Sequence, residues 1–540
     1  MKNKFVPALL ILLIASVAYY HLMRLQVVPP FSGITQEKTY QQHVPEPMRV
    51  LVPQAQYDAI AASLSTTGET GEPGAELDAE TILRVAASPC GPSLHYLITQ
   101  YRTNPAVPPA LEAVRKGLQE PPAGYLDASG APLKNPWRSQ DTAGLRDHMV
   151  ETFLAWCVFL PEISGTHDNG LHYILDFAWF YYRNQAGQDF VQGRNPLDPS
   201  DPLPTGWKFT KDFNNQRGAY MDSSASTARV AQWVGDPRIE ISDYQRQNAS
   251  DYRSWNDFFA RELIADDVAQ TISSRPATMP LDQFPERDYI VVAPTDCIMN
   301  PLVQVLATDS TDSGNLEGTE ESGKGAAQRR VLKTPLHYDT VLDVKGASLS
   351  LAQLLDGVPQ QVRDRFVGGT GQACVLMPNT YHHFHAPVNG TVVHAAVIPG
   401  NTYGYPDFPN WVPPDGNVGG PGTDFSRFQN FQRGVVVIEV TYAGLGGGDI
   451  TGYVALIPVG LDTIGSVTLN ADIVPGKVVK RGYTELGNFY YGGSLNIMLY
   501  SKGLAGNAVQ TRMGNQINLF SLGPPAPETV VPMDQRPSTN

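Results

Sequence analysis

Cysteine is scarce in this chain. Four occur among 540 residues, Cys90, Cys157, Cys297 and Cys374, far apart and without a CxxC pair. Such spacing speaks against a structural zinc site and against a disulfide scaffold, and leaves the redox compartment open. Basic charge is also short: 39 Lys and Arg face 53 Asp and Glu, for a net charge of -14. A nucleic-acid surface wants a basic face, so no nucleic-acid partner is expected. Long apolar runs are missing too, apart from one at the N-terminus, and no internal repeat is evident.

What remains is globular in composition, with 42% apolar and 9% aromatic residues. At this length two domains are expected. The first 24 residues, "MKNKFVPALLILLIASVAYYHLMR", place Lys2 and Lys4 before an apolar run from Phe5 to Tyr20. About 16 residues is short of the roughly 20 of a spanning helix. The run fits a secretory segment with Ser16-Val17-Ala18 as cleavage site, or an uncleaved anchor extended through Met23. The anchor is the preferred expectation. Positive charge ahead of the run places the body outside the cytoplasm, associated with a membrane.

Residues 25–75 are rich in Pro, Gln and Thr and read as a linker. Helical texture begins at Glu76. "LDAETILRVAAS" offers Asp78 as a cap, and "GLRDHMVETFLAWCVFLPE" sets Leu145, Met149, Phe153, Trp156, Phe159 and Leu160 on one stripe. Residues 76–200 therefore read as a helical domain, closed by the Pro- and Asp-rich "NPLDPSDPLPTG". From residue 240 to 522 the chain turns to β-branched runs such as "GVVVIEVTYAG" and "GYVALIPVG", divided by Gly and Pro. The fold class expected is α+β, a mostly antiparallel β-rich domain behind a helical one. Thr308–Arg330 reads as a mobile loop, 523–540 as a disordered tail. The loop Pro399–Gly422 carries Tyr403, Tyr405, Phe408 and Trp411, candidates for lining a substrate site.

Chemistry is concentrated in three short stretches. "TYHHFHAPVNG" holds His382, His383 and His385, "VVAPTDCIMN" holds Asp296 after an apolar strand, and "ELGNFYYGGSLN" holds Gly492, Gly493 and Ser494. A histidine oriented by a carboxylate can activate a serine hydroxyl. Taken singly, however, Asp296 is as well read as a turn cap and Ser494 as a turn residue. Three clustered histidines without a nearby carboxylate or Cys spacing do not make a metal site, and no metal is expected.

In order along the chain, these and neighbouring segments resemble the phosphatidylserine decarboxylase family of pyruvoyl enzymes. "WNDFFAREL" (255–263), "VVAPTD" (291–296), "VLDVKGASLSLAQLL" (341–355), "YHHFHAPVNGTV" (381–392), "VALIPVGLDTIGSV" (454–467) and "ELGNFYYGGSL" (485–495) are similar to its successive motifs. The resemblance implies self-cleavage between Gly493 and Ser494, with Asp296 orienting His385 and His385 deprotonating Ser494. It implies a pyruvoyl cofactor derived from Ser494 and a reprotonating acid at His382, while His383 is expected to be peripheral. The cleaved chains, 1–493 and 494–540, would stay associated, with a homodimer as a further expectation. Two departures stand out: Cys297 where the family commonly has Gly, and Leu495 where it commonly has Thr.

The family and the N-terminal segment favour phosphatidylserine, converted to phosphatidylethanolamine. The helical region resembles the extra domain of a branch that includes L-tryptophan decarboxylases, which makes a free aromatic amino acid the alternative substrate. An uncleaved, decarboxylase-like binding protein is the second alternative.

Overall fold

The computed structural model describes residues 52–65, 77–118, 135–161, 172–181, 184–266, 271–272, 286–301, 303–306, 328–331, 341–344, 347–355, 357–376, 379–400, 403, 431–444, 447–461 and 467–501. The N-terminal apolar segment, the C-terminal tail and Tyr405, Phe408 and Trp411 lie outside these residues. Among the described residues no helix is long and apolar enough to cross a membrane.

The first half is helical because its apolar residues recur at helical spacing behind capping side chains. Helix α1 is Gln54–Ser65, α2 Ala79–Ala87, α3 Gly91–Thr103, α4 Val107–Gly117 and α5 Thr142–Val158. Helix α6 is His172–Tyr181, α7 Gln185–Val191, α8 Thr205–Met221 and α9 Trp255–Phe259. Asp78 caps α2 by accepting the Thr81 N–H at 2.8 Å, and Asp141 caps α5 by accepting the Gly144 N–H at 2.7 Å. The expected α5 stripe of Leu145, Met149, Phe153 and Trp156 is buried.

Helix extends past both ends of the 76–200 stretch. In α1, Tyr57, Ile60 and Leu64 recur at three- and four-residue steps, and Ile60 and Leu64 are buried. The stretch read as a linker therefore contains a core helix, masked in the sequence by its Pro- and Gln-rich flanks. Beyond "NPLDPSDPLPTG", which forms a small hairpin, α8 buries Phe209 and Phe213 against the same core.

The second half forms two antiparallel sheets face to face. Ten strands matter here: β1 Ile298–Pro301, β2 Thr370–Val375, β3 His383–His385, β4 Gly390–Ile398, β5 Arg433–Ala443, β6 Asp449–Leu461, β7 Val467–Leu469, β8 Val478–Val479, β9 Glu485–Phe489 and β10 Gly493–Tyr500. The large sheet runs β8-β4-β5-β6-β10-β2-β1, and the small one β3-β9-β7. A four-stranded antiparallel sheet, from Val303–Leu306 to Ala347–Ser350, stands apart. The α+β, antiparallel architecture expected from the sequence is the one observed.

The large sheet is buried on both faces, which explains its continuous apolar runs. Val435, Val437, Ala455, Ile457, Leu495, Ile497 and Leu499 share one core with the helices. Val436, Ile438, Leu456, Met498 and Tyr500 face the small sheet's Phe384, Leu486 and Phe489. Alternate residues of one strand thus serve two different cores.

The cysteine expectation is corrected. All four are paired, Cys90 with Cys157 and Cys297 with Cys374, at Cα separations of 6.0 and 5.3 Å. Partners 67 and 77 residues apart carry no spacing signal, so only the fold reveals them. Cys90–Cys157 joins the start of α3 to the last turn of α5 inside the helical core.

Candidate active site

The chain changes sheets at Tyr490-Tyr491-Gly492, leaving β9 of the small sheet and entering β10 of the large one. Such a crossing needs backbone freedom, and Gly492 supplies it with φ of 148°. Gly493 and Ser494 are the first residues of β10, an inner strand, opposite Leu461 and Gly460 of β6. The Ser494 carbonyl accepts the Leu376 N–H at 3.2 Å. Its hydroxyl, by contrast, is buried without a hydrogen-bond partner.

Ser494 and Asn496 stand on the β10 face that looks toward the small sheet, in line with Met498 and Tyr500. Asn496 is fully buried, and neither amide atom has a hydrogen-bond partner. Leu495 points the other way, into the core shared with the helices. This accounts for the departure from Thr: the helical layer makes that face dry, and a hydroxyl there would be buried among apolar side chains. Leu495→Thr is therefore expected to lower stability by about 2 kcal/mol in a denaturant titration. The cleavage half-time should stay within threefold of wild type.

Upstream of Ser494, Tyr491 is buried, with its ring edge-on to Trp255 and Phe259 at 5.8 and 5.2 Å. The Arg217 guanidinium of α8 lies 5.4 Å from the same ring, so the helical half reaches the processing segment. Burial, opposed by Arg217, pushes the Tyr491 phenol up to about 12.

His382 sits 3.9 Å from the Phe259 ring and is almost fully buried. Its Nδ1 meets the Thr380 carbonyl at 2.8 Å, so Nδ1 carries the proton and Nε2 a lone pair. That Nε2 has no hydrogen-bond partner. Burial, reinforced by the Arg261 charge, holds the ring down at about 3.

His385 belongs to a second group. Its Nε2 lies 2.7 Å from the Tyr381 hydroxyl, and its backbone N–H donates to the Pro294 carbonyl at 2.8 Å. Its Nδ1 makes no hydrogen bond of ordinary geometry, although the Tyr483 carbonyl is near enough to favour the charged form. Burial lowers His385 to about 4, against the charges of Glu485 and Asp296, which raise it. Burial also drives the Tyr381 phenol well above its ordinary value, assisted by Glu485.

Asp296 is half-buried on the strip alongside, where the Thr295 hydroxyl donates to the Tyr381 carbonyl at 2.9 Å. Asp296 lies near enough to His385 for its charge to favour the protonated ring. No hydrogen bond joins His385 to Ser494.

His383 is fixed rather than peripheral. Its Nδ1 faces Glu485 Oε1 at 2.9 Å, its Nε2 the Ala260 carbonyl at 2.9 Å, and Tyr381 stacks on its ring. Burial is the largest single influence on the Glu485 carboxyl and raises it, but His383, by hydrogen bond and charge, together with His385 and Asn470 outweighs it and the net shift is downward. Tyr403 is a core residue: it is buried against Phe177, and its hydroxyl donates to Asn214 at 2.9 Å.

Tyr381, Glu485 and Asn496 escaped the sequence reading. Asn496 left a signal, a lone amide inside the apolar run "LNIMLY"; Tyr381 and Glu485 left none beyond adjacency to motif residues. Among the described residues no group of three or more His, Cys, Asp or Glu is arranged to hold a metal ion.

Comparison with known proteins bears on this arrangement. Residues 326–519 match the family model described as phosphatidylserine decarboxylase. The phosphatidylserine decarboxylase proenzyme of Clostridium novyi is 25% identical over 319 residues, 58% of this chain and 84% of that protein. The proenzyme of Psychrobacter arcticus is 24% identical over 270 residues, 48% of this chain and 74% of its own length.

The chain is similar to the phosphatidylserine decarboxylase family over these residues.

The family is one of carboxy-lyases. A third relative, phosphatidylserine decarboxylase proenzyme 3 of Schizosaccharomyces pombe, is 24% identical over 294 residues, though these make up only 23% of that longer protein. The Gly-Ser pair of this chain stands at the crossing between the two sheets.

Proposed function

We propose that this protein is a pyruvoyl-dependent decarboxylase that cleaves itself between Gly493 and Ser494 and converts phosphatidylserine to phosphatidylethanolamine. The observation that carries the reading is the buried, unbonded Ser494 hydroxyl, directly after a glycine pair at a sheet-to-sheet crossing.

Self-cleavage begins when a base takes the Ser494 hydroxyl proton and the oxygen attacks the Gly493 carbonyl. An ester replaces the peptide bond, and the freed nitrogen takes the proton. Elimination across Cα–Cβ of residue 494 then releases the Gly493 carboxylate. Water converts the remaining dehydroalanine to a ketone and frees ammonia. Glycine at 493 leaves its carbonyl open to attack. His385, neutral and paired with Asp296, is the base. To act it exchanges the Tyr381 hydroxyl for that of Ser494.

The residues fit a pyruvoyl group at 494, since nothing else occupies the hydroxyl and the adjoining carbonyl is already held by Leu376. When formed, the group supplies an electrophilic ketone and an electron sink for loss of carbon dioxide. His382 enters this chemistry as an acceptor, because its unpartnered lone pair is on Nε2. It takes a proton from the substrate ammonium and returns it to the carbon that carbon dioxide leaves. The role of acid implied by the resemblance is thus its second act.

On this reading the apolar segment near the N-terminus brings an extracytoplasmic body to the lipid surface. A free aromatic amino acid is the second reading, favoured by the aromatic enclosure of Tyr491 by Trp255 and Phe259. Carbon dioxide release from phosphatidylserine vesicles, measured beside release from free tryptophan, separates the two. At least tenfold faster release from vesicles is expected, and the reverse ratio would transfer the assignment to the amino acid.

A further inference from the structure

The carboxylate and the serine of the proposed cleavage machinery belong to different sheets, and one covalent bond spans the gap. Residues 292–296 lie along the small-sheet side. Val292 N–H donates to the Pro387 carbonyl, the Pro294 carbonyl accepts from His385, and Thr295 donates to Tyr381. At Cys297 the chain leaves this strip and becomes β1, which pairs with β2 over only four residues at the edge of the large sheet. Cys297 is bonded there to Cys374 of β2. Cys374 stands directly opposite Asn496 on β10, on the same face and two residues from Ser494. The cross-link therefore lies about 5 Å across and about 7 Å along from the serine.

We infer that the Cys297–Cys374 disulfide is a positioning element for self-cleavage. It holds Asp296, and through the Asp296 carboxylate the His385 ring, in register with Ser494. This inference rests on the reading of Ser494 as the processed residue. Among the described residues, a four-residue edge pairing is the strand pairing that would still tie the Asp296 strip to the sheet carrying the serine, and short edge pairings open readily. The pair forms by thiol–disulfide exchange: two cysteine thiols are oxidised, and a small-molecule disulfide such as oxidised glutathione is reduced to two thiols that carry the protons away. Both cysteines lie upstream of residue 494, so the link also persists after cleavage.

The test uses full-length chain made by cell-free synthesis with a labelled amino acid, then chased in oxidised or reduced glutathione buffer and followed on denaturing gels. Oxidised wild type is expected to cleave at least ten times faster than reduced wild type or the Cys297→Ala, Cys374→Ala double variant. In an Asp296→Asn background, which is slower throughout, the same change of buffer should alter the rate less than twofold. A merely structural bond would act equally in both backgrounds. Cys90→Ala with Cys157→Ala, which breaks the distant bond, should cleave at the wild-type rate under oxidising conditions.

Equal rates for oxidised and reduced wild type, with cleavage proceeding, would overturn the inference and leave the proposed function standing. An undiminished redox effect in the Asp296→Asn background overturns it as well. Failure of oxidised wild type to cleave at all would remove the proposed function and the inference with it. If the alanine pair does not fold, by near-ultraviolet circular dichroism, the two wild-type redox forms carry the comparison.

Discussion

Ser494→Ala is expected to give one chain of 540 residues where the wild type gives two, 1–493 and 494–540. On the proposed mechanism the effect is all-or-none, because the Ser494 oxygen would be the attacking atom. The substitution is also unusually clean. The hydroxyl it removes is buried and makes no hydrogen bond, so the folded chain gives up no interaction with it. An unsatisfied buried hydroxyl costs stability, and its loss should leave the denaturation midpoint unchanged or raise it by an amount worth about 1 kcal/mol. Denaturing gels with intact mass give the outcome directly. In wild type the shorter chain should resist Edman degradation, its first residue having lost its amine. Two chains from folded Ser494→Ala protein would show that the break lies elsewhere, and the assignment of Ser494 would fall.

The second large effect is acid destabilisation. His385 and His382 are held at about 4 and about 3 in the folded protein, in each case chiefly by burial, against an ordinary 6.5. The unfolded chain therefore takes up protons first as pH falls. The stability that goes with burying neutral rings is complete above about 6.5 and is lost as pH falls toward the folded values. With about 1.4 kcal/mol per unit, each histidine accounts for about 3 kcal/mol between pH 7 and pH 4. Glu485, lowered below its ordinary value, adds to the loss in the same direction. Urea titrations of the uncleaved Ser494→Ala chain at the two pH values measure the sum. His382→Gln should recover about 3 kcal/mol of it, and an acid response unchanged by that substitution would contradict the burial of a neutral ring. Self-cleavage of the wild type should follow His385 itself, holding its rate well below pH 6 and failing near pH 4.

Legibility in the sequence divided along a physical line. Features dictated by neighbours in the chain could be read: the Asp78 cap, the α5 stripe, and a glycine pair where a strand should run smoothly. The β-branched run of β5, Val435–Ile438, could be read as strand, though its burial on both faces emerges only from the fold. The order of motifs put Asp296, His385 and Ser494 into one hypothesis before any geometry was known. Features created by the meeting of distant segments could not be read. Tyr381 matters because His385 lies in reach of its hydroxyl, and Glu485 because β9 pairs with β3 and sets it beside His383. The cysteine pairs are of the same kind. Tyr403 illustrates the opposite difficulty. An aromatic residue in a Pro- and Gly-rich stretch reads as a ligand contact, yet the same ring fills a gap among Trp156, Phe177 and Asn214.

Strand β10 is hydrogen-bonded on both flanks, between β6 and β2, and begins at the bond proposed to break. An inner strand joins its sheet most readily while it is still covalently part of the chain, when no bimolecular encounter is needed. On the proposed function the favoured order of events is that the whole chain folds as one piece and the cut comes last. Once cut, the molecule would hold a structure that it can rebuild only from two separate pieces. Unfolding becomes dissociation, and recovery becomes a concentration-dependent encounter between two fragments. The working protein would persist by the height of its unfolding barrier alone, so its lifetime, rather than any equilibrium midpoint, measures its durability.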